Sequence, residues 1–318
     1  MGDIAKGVLG GGWSLVVGWV LPAALNLAVF FFAVAPSLRH TALMERIWPE
    51  SSADTAVLLL VAAVMFGLLL NALQAPLYRL LEGYLLWPRR AYDRGCRIQR
   101  ARRQRITDRI AGADARAPIQ AALLQERLAR YPAADEQIAP TRLGNAIRRF
   151  EEYGHDRYRL DTQVLWNELT GTAPKELGRQ VDTARSSADF FVALLFGHAV
   201  MAAAALASLP FEEADVPLSA VTATVLIVLI PAWYRAAVAA TDEWAAAVRA
   251  LVNAGRKPLA EALGLVLPQD LGKEREMWLL VTRMSRRPYR PAADAALAPY
   301  RAAPAQPGCC CTPPPPAP

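Results

Sequence analysis

Four long stretches of the chain are almost purely apolar, and charged residues concentrate between them. A helix needs about 20 residues to cross roughly 30 Å of hydrocarbon, so three of these stretches predict membrane spans directly. The fourth is shorter and spans only if it extends beyond Tyr234, with the Arg235 side chain reaching the interface. The pattern therefore predicts four transmembrane helices. They cover residues 13–35, 56–75, 190–209 and 218–233.

The first apolar stretch could instead be a secretory signal peptide, because AVAP at 33–36 resembles a cleavage site. Its apolar run is longer than the roughly 7–15 residues of a signal core. Its N-terminal flank carries Asp3 beside Lys6 rather than a clear positive charge. We therefore interpret this stretch as a membrane helix.

Basic residues near the ends of the four stretches are distributed unequally, which predicts an orientation. Between the first two stretches Arg39 and Arg46 are offset by acidic residues, and FEEADVP between the last two has no basic residue. The other flanks are rich in arginine, and loops rich in Arg and Lys stay cytoplasmic. The sequence therefore predicts a multi-pass protein of the plasma (inner) membrane. Both termini and the segment 77–186 should face the cytoplasm.

The segment 77–186 predicts helices throughout, since none of it alternates with the period of a strand. Pro118 and Pro174 suit the first turns of two helices, the second running into the third span. Thr141 is expected to cap a helix, and one further helix is expected over 156–169. The predicted fold is all-α: a four-helix transmembrane domain with a helical cytoplasmic insert between spans 2 and 3.

The fourth span is expected to continue as a helix that stops at Gly255, followed by short cytoplasmic helices. From residue 286 the chain is rich in proline without apolar periodicity, which predicts a disordered tail. The expected parts of the chain are residues 1–76 (spans 1 and 2), 77–186 (insert), 187–255 (spans 3 and 4), 256–285 (short helices) and 286–318 (tail).

An arginine-rich stretch directly follows the second span and its proline, Pro88. Tyr84 and Trp87 lie where an aromatic belt is expected, and Arg89 and Arg90 would meet the anionic inner leaflet. Nucleic-acid binding would require stacking aromatics or a known module, and the sequence has neither. This stretch is predicted to contact phosphate groups of the lipid bilayer or neighbouring acidic helices, not nucleic acid.

No pattern of catalytic or metal-ligating residues emerges from the sequence. It contains no nucleophile elbow, phosphate-binding loop, dinucleotide fingerprint or zinc spacing. Glu152 and His155 have the spacing of a di-iron pair, but the second such pair is absent. Cys96 and the triplet at 309–311 form no disulfide framework. We predict no catalytic residue, no metal and no cofactor, and hence no enzyme.

Two groups of polar residues remain as candidates. His198 lies within the third span, where it predicts either a hydrogen bond to another helix or a proton relay. Its possible partners within other spans are Asn26, Asn71 and Gln74. The stretch 141–169 carries polar residues that predict either internal packing contacts or docking of a cytoplasmic partner, and its apolar residues are expected to close a helical hairpin around residues 153–155. These polar residues are Arg142, Asn145, Arg149, Arg157 and Asp161.

Two motifs resemble an uncharacterised family of bacterial four-span membrane proteins with a helical cytoplasmic insert. They are RLLEGY at 79–84 and TRLGNAIRRFEEYGHDRYRLDTQVLWNEL at 141–169, and the likeness covers about 55–210. The resemblance implies architecture and no activity. We expect a non-enzymatic scaffold or signalling component acting through the insert. The alternative is a small oligomeric transporter or channel that uses polar groups within the spans, and homo-oligomerisation stays open.

Overall fold

The structure is a computed structural model that describes residues 12–39, 41, 44–45, 51–112, 118–211 and 215–301. Every regular element within these ranges is helical, and the one β-type pairing found there is an isolated bridge between Leu265 and Arg301. The prediction of an all-α fold is confirmed for the described residues.

Twelve helices occur in the described ranges, with short 3₁₀ turns at Asp135–Gln137 and Ala298–Tyr300. They are α1 (Gly12–Leu38), α2 (Ser52–Ala72), α3 (Gln74–Glu82), α4 (Arg89–Ala111), α5 (Pro118–Leu128), α6 (Arg142–Glu151), α7 (Tyr153–Tyr158), α8 (Trp166–Thr172), α9 (Lys175–Ser208), α10 (Val216–Ala262), α11 (Leu271–Arg286) and α12 (Pro291–Leu297). α1 contains two π-helical segments, Val16–Val20 and Phe30–Val34.

Four of these helices, α1, α2, α9 and α10, are long and apolar enough to cross a membrane. Their most apolar windows have mean hydropathies between 2.0 and 2.4. In α9 and α10 the apolar part continues into a charged part of the same helix. By length and composition, these four helices of the described residues are compatible with the predicted spans.

Small residues let these apolar helices approach closely. A Cβ atom on Gly67 of α2 would lie 2.8 Å from the Cα atom of Val20 in α1. At one end of the helices, the Ser208 hydroxyl of α9 donates to the Ser219 hydroxyl of α10 at 3.1 Å, and Ser219 lies 3.4 Å from the Ser37 hydroxyl of α1. Small residues and interhelical hydrogen bonds are the usual means of helix association in lipid.

The chain forms two compact units. Unit 1 comprises Met1–Tyr153 and Pro174–Leu251, and unit 2 comprises Gly154–Ala173 and Val252–Pro318. The first division falls inside the predicted hairpin, so its two arms belong to different units. Five large apolar residues of unit 2 are fully buried: Leu160, Leu169, Leu259, Met277 and Trp278.

The single helix predicted over 156–169 is interrupted. α7 ends at Tyr158, and Arg159 adopts a left-handed conformation with φ 61°. The Asp161 carboxylate then accepts hydrogen bonds from the backbone N–H groups of Gln163 and Val164, at 3.1 and 3.2 Å. Because the Asp161 side chain competes with backbone carbonyls for these N–H donors, the chain favours a turn here over a continuing helix.

Gly255 does not end α10, which continues to Ala262. Within unit 2, a Cβ atom on Gly255 would lie 2.8 Å from the Leu169 side chain, so the glycine permits close packing. The helix ends instead before Gly264, whose φ of 70° suits a C-terminal glycine.

The prediction of a disordered tail from residue 286 is wrong for the part that the structure describes. α12 forms at 291–297, and Leu297 is buried. The N–H of Val266 donates to the Tyr300 carbonyl at 2.8 Å, beside the bridge from Leu265 to Arg301. These contacts give backbone hydrogen bonds to a segment that was predicted to be disordered from its proline content. Residues 302–318, with Cys309, Cys310 and Cys311, lie outside the described residues.

Candidate functional site

Asp189 of α9 is a buried carboxylate that joins α9 to α3. It accepts hydrogen bonds from the Tyr78 hydroxyl at 2.8 Å and from the Gln74 amide at 3.0 Å. Arg185, one turn earlier on α9, lies 3.8 Å from the same carboxylate. Asp189 was not among the predicted residues, although a lone acid directly before an apolar run is a signal that buried pairing is required.

The segments 79–84 and 141–169 contact each other. The Thr141 hydroxyl accepts a hydrogen bond from the Gly144 N–H at 2.9 Å, confirming the predicted helix cap, and donates to the Glu82 carbonyl at 3.2 Å. Gly144 permits this approach, since a Cβ atom there would lie 2.8 Å from the Glu82 oxygen. Gly83, with φ 92°, ends α3 at the same place.

Asn145 is one of the predicted candidates, and its side chain is fully engaged inside the protein. The amide nitrogen donates to the carbonyls of Ala139 at 2.9 Å and Thr141 at 2.6 Å. The amide oxygen accepts from the Ala139 N–H at 2.8 Å. Asn145 is 1% exposed, so it fixes the loop that precedes α6.

A cavity of about 540 Å³ opens beside Asn145 and is lined by seven arginines. Arg130 alone among them has acidic partners within the described part of the chain: its guanidinium donates to both Asp242 oxygens, at 2.9 and 2.6 Å, and lies 3.4 Å from Glu126. Among the described residues, no carboxylate lies within 4 Å of the other six. These six are Arg102, Arg105, Arg109, Arg127, Arg142 and Arg235.

The remaining lining of the basic cavity is aromatic and aliphatic. The Tyr131 hydroxyl donates to the Gln99 amide oxygen at 3.1 Å, and the Tyr234 hydroxyl accepts from the Leu143 N–H at 3.2 Å. Both hydroxyls are therefore engaged by the protein. Apolar side chains from α4, α5 and α10 complete the wall, and these are Ile106, Leu124 and Val238.

A second electrostatic feature surrounds Glu151, at the end of α6. Burial, together with the nearby Glu82 and Glu152 carboxylates, raises the pKa of this carboxyl from 4.5 to about 7, although the Arg148 guanidinium lowers it. Burial also raises the pKa of Glu82. The raised pKa of Glu151 makes this end of α6 sensitive to pH near neutrality.

His198 lies between the apolar helices, 7% exposed, and has a defined partner. Its Nδ1 atom is 2.9 Å from the Asn26 side-chain oxygen, while the Asn26 amide nitrogen donates to the Pro22 carbonyl at 2.7 Å. The Trp233 ring meets the imidazole edge to face at 5.8 Å. Asn26 is one of the three partners predicted for His198, and Gly197 leaves space for it.

The other predicted residues lie in different places. Arg149 is half-buried on α6, and Arg89 and Arg90 are exposed at the start of α4. Tyr84 and Trp87 follow α3 and are 43% and 37% exposed, with the Trp87 indole donating to the Leu80 carbonyl at 3.0 Å. Within unit 2, the Asp161 carboxylate pairs with Arg286, and the Arg157 guanidinium donates to the Tyr158 hydroxyl at 3.1 Å.

The structure thus unites Arg142 and Asn145 with arginines of α4, α5 and α10. Arg142 was predicted either to make an internal packing contact or to dock a cytoplasmic partner, and the cavity itself was not predicted. A cavity assembled from four helices depends on long-range packing, which spacing along one helix does not reveal. Compared with known proteins, the chain matches no protein family, no curated protein and no solved structure.

Proposed function

We propose that this chain is a multi-pass protein of the plasma membrane, with both termini and the segment 77–186 in the cytoplasm. It acts as a non-enzymatic scaffold or signalling component: its cytoplasmic helices receive a partner and pass that binding on to the spans. The arginine asymmetry of the flanks supports the orientation.

The observation that carries the proposal is the buried hydrogen bonding between the cytoplasmic helices and the two helices that continue from the third and fourth apolar stretches. Asp189 of α9 accepts from Tyr78 and Gln74 of α3. Tyr234 of α10 accepts from the Leu143 N–H at the start of α6. A displacement of α3 or α6 would therefore act directly on α9 and α10, because interior contacts are close-packed and transmit strain.

Cysteine labelling in intact cells tests the orientation. After replacing the native cysteines with serine, Phe211→Cys should react with a membrane-impermeant maleimide, and Gly112→Cys should react only after permeabilisation. Both positions are exposed in the structure. The reverse pattern would contradict the orientation.

Photo-crosslinking of the full-length chain in its membrane tests the scaffold function. A photoreactive residue at Ile119, which is 75% exposed on α5, should yield a discrete adduct with a cytoplasmic protein. The same residue at Gln269, an exposed position in unit 2, is the matched control. A chain that yields no adduct from Ile119, or equal adducts from both positions, would contradict the proposal.

The transporter alternative rests on the polar pair Asn26 and His198. The two side chains satisfy each other at 2.9 Å, which favours an interhelical contact over a transport path. Under our proposal, His198→Ala lowers thermal stability in detergent. Loss of proton or ion flux in proteoliposomes, with stability unchanged, would favour the transporter.

A further inference from the structure

We propose that the basic cavity binds a ligand carrying two or more phosphate groups, presented either by an anionic lipid headgroup or by a soluble organic phosphate. This proposal names the class of ligand that would act in the proposed function. It rests on the proposed function only for the consequence of binding. The binding itself is argued from the cavity alone.

The first argument is charge. Six arginines share the wall of one cavity, and no carboxylate of the described residues lies within ion-pair distance of any of them. Guanidinium groups stay protonated at every physiological pH, so this repulsion cannot be relieved by titration. Bringing six like charges together costs folding free energy unless an anion offsets it. The arrangement therefore fits a bound polyanion.

The second argument is geometry. A guanidinium presents paired N–H donors that match the oxygen spacing of phosphate, which makes arginine well suited to bidentate phosphate recognition. The arginines come from α4, α5, α6 and α10, so they approach the cavity from different elements. A single phosphate group can accept hydrogen bonds from only some of these arginines. Two or more phosphate groups are needed to use all of it.

The third argument is size and polarity. A volume of about 540 Å³ lies within the range of small-molecule sites and is too large for a single inorganic anion. The aliphatic wall and the two tyrosines, whose hydroxyls are already engaged, offer contact to a non-phosphate part of the ligand. The ligand is therefore an organic phosphate.

The position of the cavity makes a lipid a natural source. Tyr234 and Arg235 directly follow Trp233, where the fourth apolar stretch ends. Basic pockets at the cytoplasmic ends of spans are sites for headgroups with several phosphates. A soluble phosphate compound could reach the same donors from the cytoplasm, so the experiment must separate the two sources.

The test uses full-length protein in detergent, with binding measured by calorimetry or thermophoresis at physiological salt. The probes are ATP and pyrophosphate for the soluble source and short-chain cardiolipin for the lipid source. Protein in phosphatidylcholine nanodiscs with and without cardiolipin forms a second lipid arm. We expect saturable 1:1 binding to one of these sources, with Kd below about 100 µM.

A pair of double variants separates the cavity from diffuse attraction. Arg105→Gln/Arg109→Gln removes two cavity arginines of α4, and Arg89→Gln/Arg90→Gln removes two exposed arginines of the same helix that do not line the cavity. All four residues are exposed, so neither change should disturb folding. We expect the cavity variant to weaken binding at least tenfold and the control to change it less than twofold.

Three results would overturn the inference: no saturable binding of any probe, equal weakening by both double variants, or tighter binding of a short oligonucleotide than of every other probe. ATP or pyrophosphate binding without cardiolipin binding identifies a soluble ligand, and the converse identifies a lipid. Failure of the photo-crosslinking experiment with retained phosphate binding would reject the scaffold and leave the cavity's ligand in place.

Discussion

Several arginines of unit 2 have partners within the protein, whereas six arginines of the basic cavity in unit 1 have no carboxylate partner among the described residues. In unit 2, Arg256 donates to the buried Glu274 carboxylate at 2.6 Å and lies over the Tyr158 ring at 4.4 Å. Arg286 pairs with Asp161, and Arg275 donates to backbone carbonyls at 2.6 and 2.9 Å. In unit 1, six arginines share a cavity without one carboxylate partner among the described residues.

This contrast separates arginines that hold a fold together from arginines that await a ligand. When a charged side chain is paired within the protein, the pairing offsets the free-energy cost of removing the charge from water. Removing the partner should therefore lower stability. Clustered charges without partners contribute nothing to stability by attraction. Their removal should affect binding and leave folding unchanged.

The largest effect is expected from Glu274→Ala in unit 2. Glu274 is 3% exposed, and its carboxylate accepts from Arg256 and from the Trp278 indole at 3.2 Å. The substitution leaves the Arg256 guanidinium without its partner, which should lower the free energy of unfolding by about 4 kcal/mol. Thermal unfolding in detergent measures it. Glu276→Ala, at an exposed position of the same helix, should change little, and equal losses would mean that the buried pair is unimportant.

Next in size is Asn145→Ala, which tests whether the loop at the rim of the basic cavity is held by protein contacts. The substitution removes three hydrogen bonds to Ala139 and Thr141 and leaves buried backbone groups unpaired. We expect a loss of about 3 kcal/mol. Asn167→Ala, at an exposed position on α8, is the control. A loss below that of the control would show that the loop is fixed by other means.

A pH-dependent effect of intermediate size is expected from Glu151→Gln. The folded-state pKa of about 7 lies above the ordinary value of 4.5, so ionisation disfavours the folded state as pH rises from about 4.5 through 7. Because solvent partly screens this half-buried group, the variant should be about 2 kcal/mol more stable than the native chain at pH 8.5. The advantage should vanish below pH 4.5.

Unfolding curves across pH 4 to 8.5 check this profile, with Glu168→Gln, at an exposed position in unit 2, as the matched control. A stability difference that does not vary with pH would show that Glu151 ionises at its ordinary pKa. A variant that is less stable at every pH would show that the carboxylate makes a contact more important than its desolvation.

Local patterns predicted the helices well and their ends poorly. The Thr141 cap and the start of α9 after Pro174 were predicted because capping and proline preferences act within one turn. The break at Arg159 and the continuation of α10 past Gly255 were missed. Gly255 looked like a stop because its role, packing against Leu169, depends on a residue distant in sequence.

The candidate residues divide in the same way. Asn26, which contacts His198, was one of only three possible partners predicted, because a polar group within an apolar helix has few candidates. Arg142 was named as a polar contact and Arg235 as an interface residue, but the cavity that they share with arginines of α4 and α5 was not predicted, since four helices must pack before these residues meet. Asp189 was missed because the apolar run beside it was analysed only for its length.

The smallest effect, and the sharpest test of the comparison, comes from Asp161→Ala and Arg142→Ala measured side by side. The Asp161 carboxylate pairs with Arg286 and accepts from two backbone N–H groups, and its side chain is 18% exposed. Its loss should lower the free energy of unfolding by about 1.5 kcal/mol.

Arg142 is exposed and has no carboxylate within 4 Å among the described residues, so its loss should change stability by less than about 0.5 kcal/mol. Removing one of six like charges should, if anything, raise the melting temperature in anion-free buffer and reduce the increase that a bound phosphate ligand produces. If Arg142→Ala destabilises as much as Asp161→Ala without ligand, the cavity arginines are packing residues and the contrast between the two units fails.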